Sequence, residues 1–457
     1  MRLRVGNHKK TRFVEFKDSL SLPFLLIRCR VDMIAFIFRY VAISGLTITI
    51  GVLGILPEFG FRYFNVVPTV LLIIGLALLS RNFLEIWQLE RGVILKRRTE
   101  LSHFSDSYIS NTYAGFRITN YSPKEFSGSV GDGGMGTVIT SDELDAQLLT
   151  RKMYVRWIDR KFKVDTSLRG YIPAILRQIN ENRRVFNGRC VRMNTDLRPQ
   201  SGGESNEITM SPTSYFDFIC SNELFRYKVS DRRSAPELKT LGELGLVDYD
   251  NKFFDLSGSR LANVVGVSIV ALTKDGYLIL TRQTSYNSVN ADLLLSTGSG
   301  SLDLRDVEVC RSKNSIERGQ DLKMDLDDLI SAGMLREMEE ESGISKANCT
   351  DTQIVGYSRW LDRGGKPEFY GFTVLNLDYE EVLRRKVKGL EKAYSKNSEG
   401  VRAKDLQWDE ISNLQFESLG KELSKSVALP LAFNLRAIAK HLGNSSAHFR
   451  APDSLTG

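Results

Sequence analysis

Residues 336–344 read Arg-Glu-Met-Glu-Glu-Glu-Ser-Gly-Ile, and they close the most regularly patterned stretch of the chain. Apolar residues recur every four positions ahead of them, at Leu326, Ile330, Met334 and Met338. This period predicts a helix over residues 325–342 that buries one stripe of its surface. Gly343 is of the residue type that most readily ends a helix in the left-handed conformation. The stretch therefore predicts a helix that stops at a glycine and carries acidic residues in its last turns.

Three of those acidic residues share one face of the predicted helix. Glu337, Glu340 and Glu341 stand at positions i, i+3 and i+4, within an arc of about 100°. Like charges at this spacing destabilise a helix unless a positive group compensates them. Mg²⁺ or Mn²⁺ is a suitable partner, because hard cations prefer carboxylate oxygens and leave coordination positions for phosphates and water. The alternative is a solvated acidic helix end, and the three carboxylates alone leave both interpretations open.

The complete string extends this reading, because it resembles the second half of the Nudix box, R-E-U-x-E-E-x-G-U with U aliphatic, at every specified position. The resemblance implies an α/β fold, a Nudix-type α/β/α sandwich, that hydrolyses the pyrophosphate bond of a nucleoside diphosphate linked to another group X. By position it implies that Glu340 and Glu341 are metal ligands and that Glu337 is a ligand or the catalytic base. Arg336 would orient Glu337 by ion pairing, and metal-activated water would attack one phosphorus atom.

The flanking sequence agrees with a sheet around this helix. The segments 264–273 and 277–282 predict a β-hairpin across Lys-Asp-Gly276, and 354–360 with 369–375 predicts a second pair of strands. Glu368 lies about where members of the family place a further metal-binding glutamate. A surface glutamate on an edge strand is the competing interpretation.

The first half of the box departs from the pattern. Fourteen positions before Arg336, where the box has glycine, the chain has Leu322, and eight positions before it, where the box has glutamate, the chain has Asp328. A glycine turn at 297–303 is a better candidate, with Gly298 and Gly300 as substrate-loop residues. Gly300 precedes Arg336 by 36 positions (336 − 300) rather than 14, which implies an insertion of about 22 residues. Either Asp303 or Asp328 would then supply the early acid.

Two apolar runs near the N-terminus predict a transmembrane hairpin, with helices at about 33–56 and 66–87. Each reaches the roughly 20 residues that cross a bilayer. Residues 1–32 hold eight Lys/Arg against three Asp/Glu, so 8 − 3 = +5 of the net charge of +7 lies in this leader. Basic flanks favour the cytoplasmic side, which predicts a two-pass protein of a bacterial inner membrane with both termini in the cytoplasm. Two buried core helices, or a signal peptide, are the alternatives.

The charge distribution argues against specific nucleic-acid binding, because the residues after 32 carry only 7 − 5 = +2. The five cysteines show no C-x-x-C pair, which argues against a zinc or redox motif and favours reduced thiols. The four histidines flank no candidate nucleophile, so a histidine-based triad is not predicted. An oligomer stays possible.

The remaining organisation is a middle region of mixed α/β character at 90–185 without an assigned fold, a Nudix domain with its N-terminal extension at 186–445, and a polar tail at 446–457. Within these, 131–136 satisfies G-x-G-x-x-G but lacks a preceding apolar strand, so a flexible loop is preferred to a dinucleotide site. Residues 215–220 predict a strand, and 428–442 predict a terminal helix stopped by Gly443.

These patterns predict a membrane-tethered Nudix hydrolase that acts on a nucleotide-derived small molecule with Mg²⁺ or Mn²⁺ as cofactor. A different function stays open, in which a membrane-anchored sensor binds a nucleotide signal with little turnover. The altered first half of the box favours the sensor, whereas the complete carboxylate set favours turnover. A scaffold with a vestigial box would be expected to lack at least one of the three glutamates, and all three are present.

Overall fold

The computed structural model describes most of the chain between residues 113 and 444 and short stretches before it. The described residues are 70, 73–77, 80–81, 84, 93–98, 113–123, 134–168, 171–172, 175, 187–200, 207–231, 235–239, 255–283, 293–313, 322–385 and 395–444. The predicted basic leader (1–32), the first predicted membrane span (33–56) and the polar tail (446–457) lie outside them.

The chain divides into two compact units. Unit 1 comprises Met1–Leu95, Val164–Phe186 and Val229–Leu238, and unit 2 comprises Lys96–Lys163, Asn187–Lys228 and Lys239–Gly457. Unit 1 contains most of a three-stranded sheet in the order β1-β7-β8. Its strands are β1 (Val93–Arg97), β7 (Tyr227–Asp231) and β8 (Ala235–Lys239).

Part of the second predicted membrane span belongs to unit 1, and its described residues are helical. Its apolar side chains are between 45% and 60% exposed at Val70, Ile73, Ile74, Leu76 and Leu84. Within the described residues, no helix has both the length and the apolar character needed to cross a bilayer. The transmembrane hairpin therefore stays a prediction.

Unit 2 is a mixed α/β structure built around a nine-stranded sheet. The strands lie in the order β11-β10-β9-β15-β14-β3-β2, with β12 also paired to β9 and β16 to β10. Their bounds are β2 (Arg117–Tyr121), β3 (Gly136–Thr140), β9 (Gly266–Leu272), β10 (Tyr277–Gln283), β11 (Leu294–Leu295), β12 (Gly298–Ser301), β14 (Cys349–Trp360), β15 (Lys366–Leu375) and β16 (Ser395–Arg402). Because β2 and β3 join β14, the sheet crosses the boundary that the sequence predicts at residue 185.

Both predicted strand pairs are confirmed. β9 and β10 pair antiparallel with Leu278 opposite Leu272, and Gly276 has the positive φ of 86° that a tight connection requires. β14 and β15 also pair antiparallel, with Tyr357 opposite Phe369. The parallel pairing of β15 with β9 joins the two hairpins into one sheet.

A second sheet of unit 2 has four strands in the order β13-β4-β6-β5. They are β4 (Tyr154–Trp157), β5 (Arg189–Met193), β6 (Glu207–Ser214) and β13 (Lys323–Asp325). The predicted strand at 215–220 is wrong, because Tyr215–Ile219 forms helix α2, after helix α1 at Asp142–Thr150. The Ser214 side chain caps α2 by accepting the Asp217 N–H at 3.3 Å, which outweighs the β propensity of the aromatic residues.

Further helices follow in unit 2. They are α3 (Leu304–Lys313), α4 (Leu326–Ser342), α5 (Tyr379–Leu383), α6 (Trp408–Ser412), α7 (Lys421–Ser424) and α8 (Leu429–Asn444). The predicted terminal helix is confirmed as α8, although it continues through Gly443 to Asn444.

Helices α4 and α8 cover opposite faces of the nine-stranded sheet. A Cβ built at Gly371 of β15 would meet the Met334 side chain of α4, so odd-numbered residues of β15 face that helix. The even-numbered Tyr370 and Phe372 instead share a buried core with Phe433 of α8. The large sheet is therefore closed on both sides by helices, and α4 is fixed against it by one face.

Candidate active site

Helix α4 has the caps that its sequence predicts. The Asp325 side chain accepts the Asp327 N–H at 3.0 Å at the N-terminus, and Gly343 adopts φ 73° at the C-terminus. The predicted apolar stripe is buried, with Leu326, Ile330, Met334 and Met338 each fully enclosed. The helix register is therefore set by packing, and this register determines where the three glutamates point.

Strand β12 lies directly against the last turns of α4. A Cβ at Gly298 would come closer than 3.0 Å to the backbone of Met338, and a Cβ at Gly300 would come closer than 3.0 Å to the carboxylate of Glu337. Both glycines therefore permit a close approach between strand and helix that any side chain would block. The structure brings these two predicted loop residues to the predicted carboxylates, as a strand rather than as a turn.

The backbone of β12 donates hydrogen bonds to two of the glutamates. The Ser299 N–H donates to Oε2 of Glu341 at 2.8 Å, and the Ser301 N–H donates to Oε1 of Glu337 at 3.2 Å. Hydrogen bonds to an ionised carboxylate are stronger than those between neutral groups. These two carboxylates are therefore oriented by the strand as well as by the helix.

Arg336 connects most of the remaining groups of the site. Its guanidinium donates to both oxygens of Asp306, at 2.8 and 3.0 Å, and to the Ser301 carbonyl at 2.8 Å. It also donates to Glu337 at 2.8 Å and to Glu340 at 3.2 Å. The contact with Glu337 is the one that the sequence predicts for Arg336.

Asp306 is a site residue that the sequence reasoning missed. It lies in the first turn of α3, its side chain is buried, and it forms a two-pronged ion pair with Arg336. A signal was present, because the box places its early acid 14 − 8 = 6 positions after its glycine, and six positions after Gly300 is Asp306. If the chain follows the box in this way, the insertion would come after Asp306, and 29 residues separate Asp306 from Arg336 (336 − 306 − 1).

The predicted site residue Asp303 lies beside Asp306. Its side chain accepts the Arg305 N–H at 2.8 Å, and its own N–H donates to Asp306 at 2.9 Å. Arg305 in turn contacts Glu340 at 3.3 Å. Asp303 is therefore joined to the carboxylate group through Arg305, at the start of α3.

The side chain of Glu337 is 14% exposed, whereas that of Glu340 is 35% exposed. Burial raises the pKa of Glu337 to about 7, against the lowering influence of Arg336, because the charged form loses water that the surrounding groups only partly replace. A carboxylate with a pKa near neutrality has the range expected of a general base.

Two predicted site residues lie elsewhere. Asp328 precedes Glu337 by nine residues on the same helix, which separates them by about 13 Å along the axis. Glu368 is buried on β15 and pairs with Lys366. Because residue numbers on β15 alternate between faces, Glu368 points away from the face that α4 covers. The structure brings neither residue to the glutamates of α4.

The donor set of the site is chemically suited to Mg²⁺ or Mn²⁺, since Glu337, Glu340 and Glu341 offer hard oxygen ligands. Among the described residues, no group of three or more His, Cys, Asp or Glu side chains has the arrangement of a metal site. The carboxylate oxygens are instead occupied by arginine and backbone N–H donors. A cation would therefore have to replace some of these contacts.

Comparisons with known proteins add little. No family model matches the chain, and no curated protein matches it. Among solved structures, the chain is similar to the crystal structure of DR0079 from Deinococcus radiodurans, with 11% sequence identity over 38% of this chain and 81% of that chain. The TM-score is 0.23, a value too low to support a conclusion about fold or function.

Proposed function

We propose that the chain is a metal-dependent pyrophosphohydrolase of the Nudix type, acting on a nucleoside diphosphate linked to another group. The observation that carries the proposal is the contact of Arg336 with both Asp306 and Glu337. Asp306 stands where the box has its early acid, six positions after Gly300, and Arg336 and Glu337 stand where the box has Arg-Glu. They meet in space although 29 residues separate Asp306 from Arg336, as expected if a complete box has received an insertion.

Glu337, Glu340 and Glu341 would hold the cation. Mg²⁺ or Mn²⁺, when bound there, supplies activation of water and compensation of charge on the leaving phosphate. The chain's own residues divide the other tasks. Arg336 keeps Glu337 in one orientation, and the N–H groups of Ser299 and Ser301 hold two carboxylates against β12. The side chain of Glu337 has little contact with water, and this burial favours a role for its carboxylate as a general base.

The proposal includes a membrane tether, formed by the two predicted spans and the basic leader. The exposed apolar side chains at Ile73, Ile74 and Leu76 support it, because a helical surface of this kind is unfavourable in water. Lipid is the partner that the leader's charge also favours. The catalytic unit would then face the cytoplasmic pool of nucleotides and magnesium.

One observation favours the second candidate function, a membrane-anchored nucleotide sensor with little turnover. Each oxygen of Glu340 faces an arginine: Arg305 is 3.3 Å from Oε1 and Arg336 is 3.2 Å from Oε2. Such contacts compete with a cation for the same carboxylate. A site that prefers this closed arrangement would bind phosphate groups without hydrolysing them efficiently.

The experiment uses the full-length protein in detergent micelles, Mg²⁺ and a panel of nucleoside diphosphate derivatives. Glu340→Gln removes one ligand charge, and Glu339→Gln is a matched control because Glu339 is exposed on the same helix. Hydrolysis that Glu340→Gln and chelation abolish, but Glu339→Gln preserves, supports the enzyme. Saturable nucleotide binding without products supports the sensor. The absence of both binding and products refutes both functions.

A further inference from the structure

Arg305 stands at the rim of the carboxylate group, and neither the box nor the proposed mechanism assigns it a role. It lies in the first turn of α3, one residue before Asp306. Its Nε is 3.3 Å from Asp303, and its Nη1 is 3.3 Å from Oε1 of Glu340. Its side chain is 54% exposed, so the guanidinium is open to solvent beside a proposed metal ligand.

Arg336 shows by contrast what an internal arginine of this site looks like. Its side chain is 15% exposed, and its three guanidinium nitrogens all donate within the protein, to Asp306, Glu337, Glu340 and Ser301. Moving Arg336 toward a substrate would break the contact between the two halves of the site. Arg305 can move without breaking the contact between the two halves of the site, because both of its carboxylate contacts are long and lie near the surface.

We propose that Arg305 binds the diphosphate group of the substrate. The inference rests on the proposed function, because it takes Glu340 to be a ligand of the cation. A glutamate that serves the cation offers less negative charge to Arg305, so the guanidinium is released from Oε1 and turns toward the phosphate oxygens. A planar guanidinium suits this task, since two of its N–H groups can engage one phosphate in parallel.

Asp303 is the residue that keeps Arg305 at this rim. Its Oδ1 accepts the Arg305 backbone N–H at 2.8 Å and also lies 3.3 Å from the Arg305 side chain. The arginine can therefore leave Glu340 without leaving the site. Asp303 therefore acts through Arg305, as a positioning residue.

The test measures two binding equilibria on the full-length protein in detergent micelles. Neither measurement requires turnover. The first is binding of Mn²⁺ alone, followed by electron paramagnetic resonance. The second is binding of methylenediphosphonate, a non-hydrolysable diphosphate, in saturating Mg²⁺ by calorimetry. Arg305→Ala is compared with Arg305→Lys and with Arg189→Ala. Arg189 is a matched control, because it is 61% exposed and pairs with Glu308 of the same helix at 4.0 Å.

Arg305→Ala is expected to weaken diphosphonate binding by ~10–100-fold, the loss of a charge-assisted two-pronged contact. Mn²⁺ binding should be unchanged or tighter, because a competitor for Glu340 is gone. Arg305→Lys should recover part of the affinity, and Arg189→Ala should bind as wild type does.

Three results would overturn the inference. They are unchanged diphosphonate affinity in Arg305→Ala, a parallel loss of Mn²⁺ binding that would show Arg305 only positions Glu340, and a wild-type protein that binds no diphosphonate. Absence of hydrolysis with diphosphonate binding and the Arg305 effect intact would overturn the proposed enzyme and leave the inference standing.

Discussion

Replacement of Gly300 by alanine is the sharpest perturbation that the site offers. The new Cβ would lie closer than 3.0 Å to the carboxylate of Glu337, a separation that real Cβ atoms do not adopt. Gly300 has no positive φ, so the effect is steric contact rather than backbone strain. The new Cβ meets the carboxylate of Glu337, which can move, so the backbone around residue 300 does not have to shift.

The structure separates the expected loss of activity from the expected loss of stability. Displacing Glu337 breaks its hydrogen bonds from the Ser301 N–H and from Arg336. Water molecules then form some of the hydrogen bonds that these groups have lost. We expect a free energy of unfolding lowered by ~1–2 kcal/mol. If Glu337 is the base or a metal ligand, kcat/KM should fall by ~100-fold or more, because its position is lost.

Two other glycines calibrate this result. A Cβ at Gly298 would press on the backbone of Met338, which cannot yield without moving α4, so Gly298→Ala should cost ~2–3 kcal/mol of stability in addition to activity. A Cβ at Gly188 meets nothing within 4 Å, so Gly188→Ala should change stability by less than ~0.5 kcal/mol. Stability is measured by urea unfolding, and activity with the substrate that the nucleotide panel identifies.

Two results would contradict these expectations. One is a Gly300→Ala protein that keeps more than half of the wild-type kcat/KM, and the other is a Gly298→Ala protein as stable as Gly188→Ala. The first result would mean that Glu337 does not need its present position. The second would mean that the close approach of β12 to α4 does not constrain the helix.

Three further predictions test other parts of the molecule. Asp306→Asn should lower the free energy of unfolding by ~1–3 kcal/mol in urea titrations, because it removes the charge-assisted bidentate contact with Arg336, which keeps Glu337 as a partner. Burial raises the pKa of Asp145 to about 7 from an ordinary 3.8, so the folded state holds this proton more tightly and stability should fall as pH rises from about 4 to about 7. Asp145→Asn can still accept the Tyr357 N–H and should be more stable than wild type by ~2–4 kcal/mol at pH 8 but not at pH 4. A reporter fused after Gly457 should read as cytoplasmic, and an external signal would contradict the predicted orientation.

The part of the site that lies on α4 could be predicted because local rules determine it. A four-residue apolar period, a glycine stop and a fixed spacing of carboxylates act within a single helix. The same holds for the β9–β10 hairpin, where Gly276 marks the connection. In each case the decisive contacts join residues that are close in sequence.

The misplaced residues depend instead on contacts that are distant in sequence or on caps. Asp306 was missed because its partner Arg336 follows 30 positions later in the sequence (336 − 306). The contact of Gly371 with Met334 decides which face of β15 helix α4 covers, and Glu368 lies on the other face. The strand predicted at 215–220 failed because one capping side chain, Ser214, overrode residue propensity.

One four-stranded sheet holds both ends of the segment between Leu302 and Met324, which helps Asp306 and Arg336 to meet across it. At its return, Met324 of β13 lies opposite Val155 of β4, and the Leu326 N–H donates to the Met153 carbonyl at 2.9 Å. At its start, the Val191 N–H of β5 donates to the Leu302 carbonyl at 3.0 Å.

β4 and β5 both pair with β6, so the two anchor points are fixed within a single four-stranded sheet. The entropic cost of connecting these two anchor points rises only slowly with the length of chain between them, and the contact between Asp306 and Arg336 does not have to offset it. Changes in chain length between residues 314 and 321 should therefore leave the contact between Asp306 and Arg336 in place.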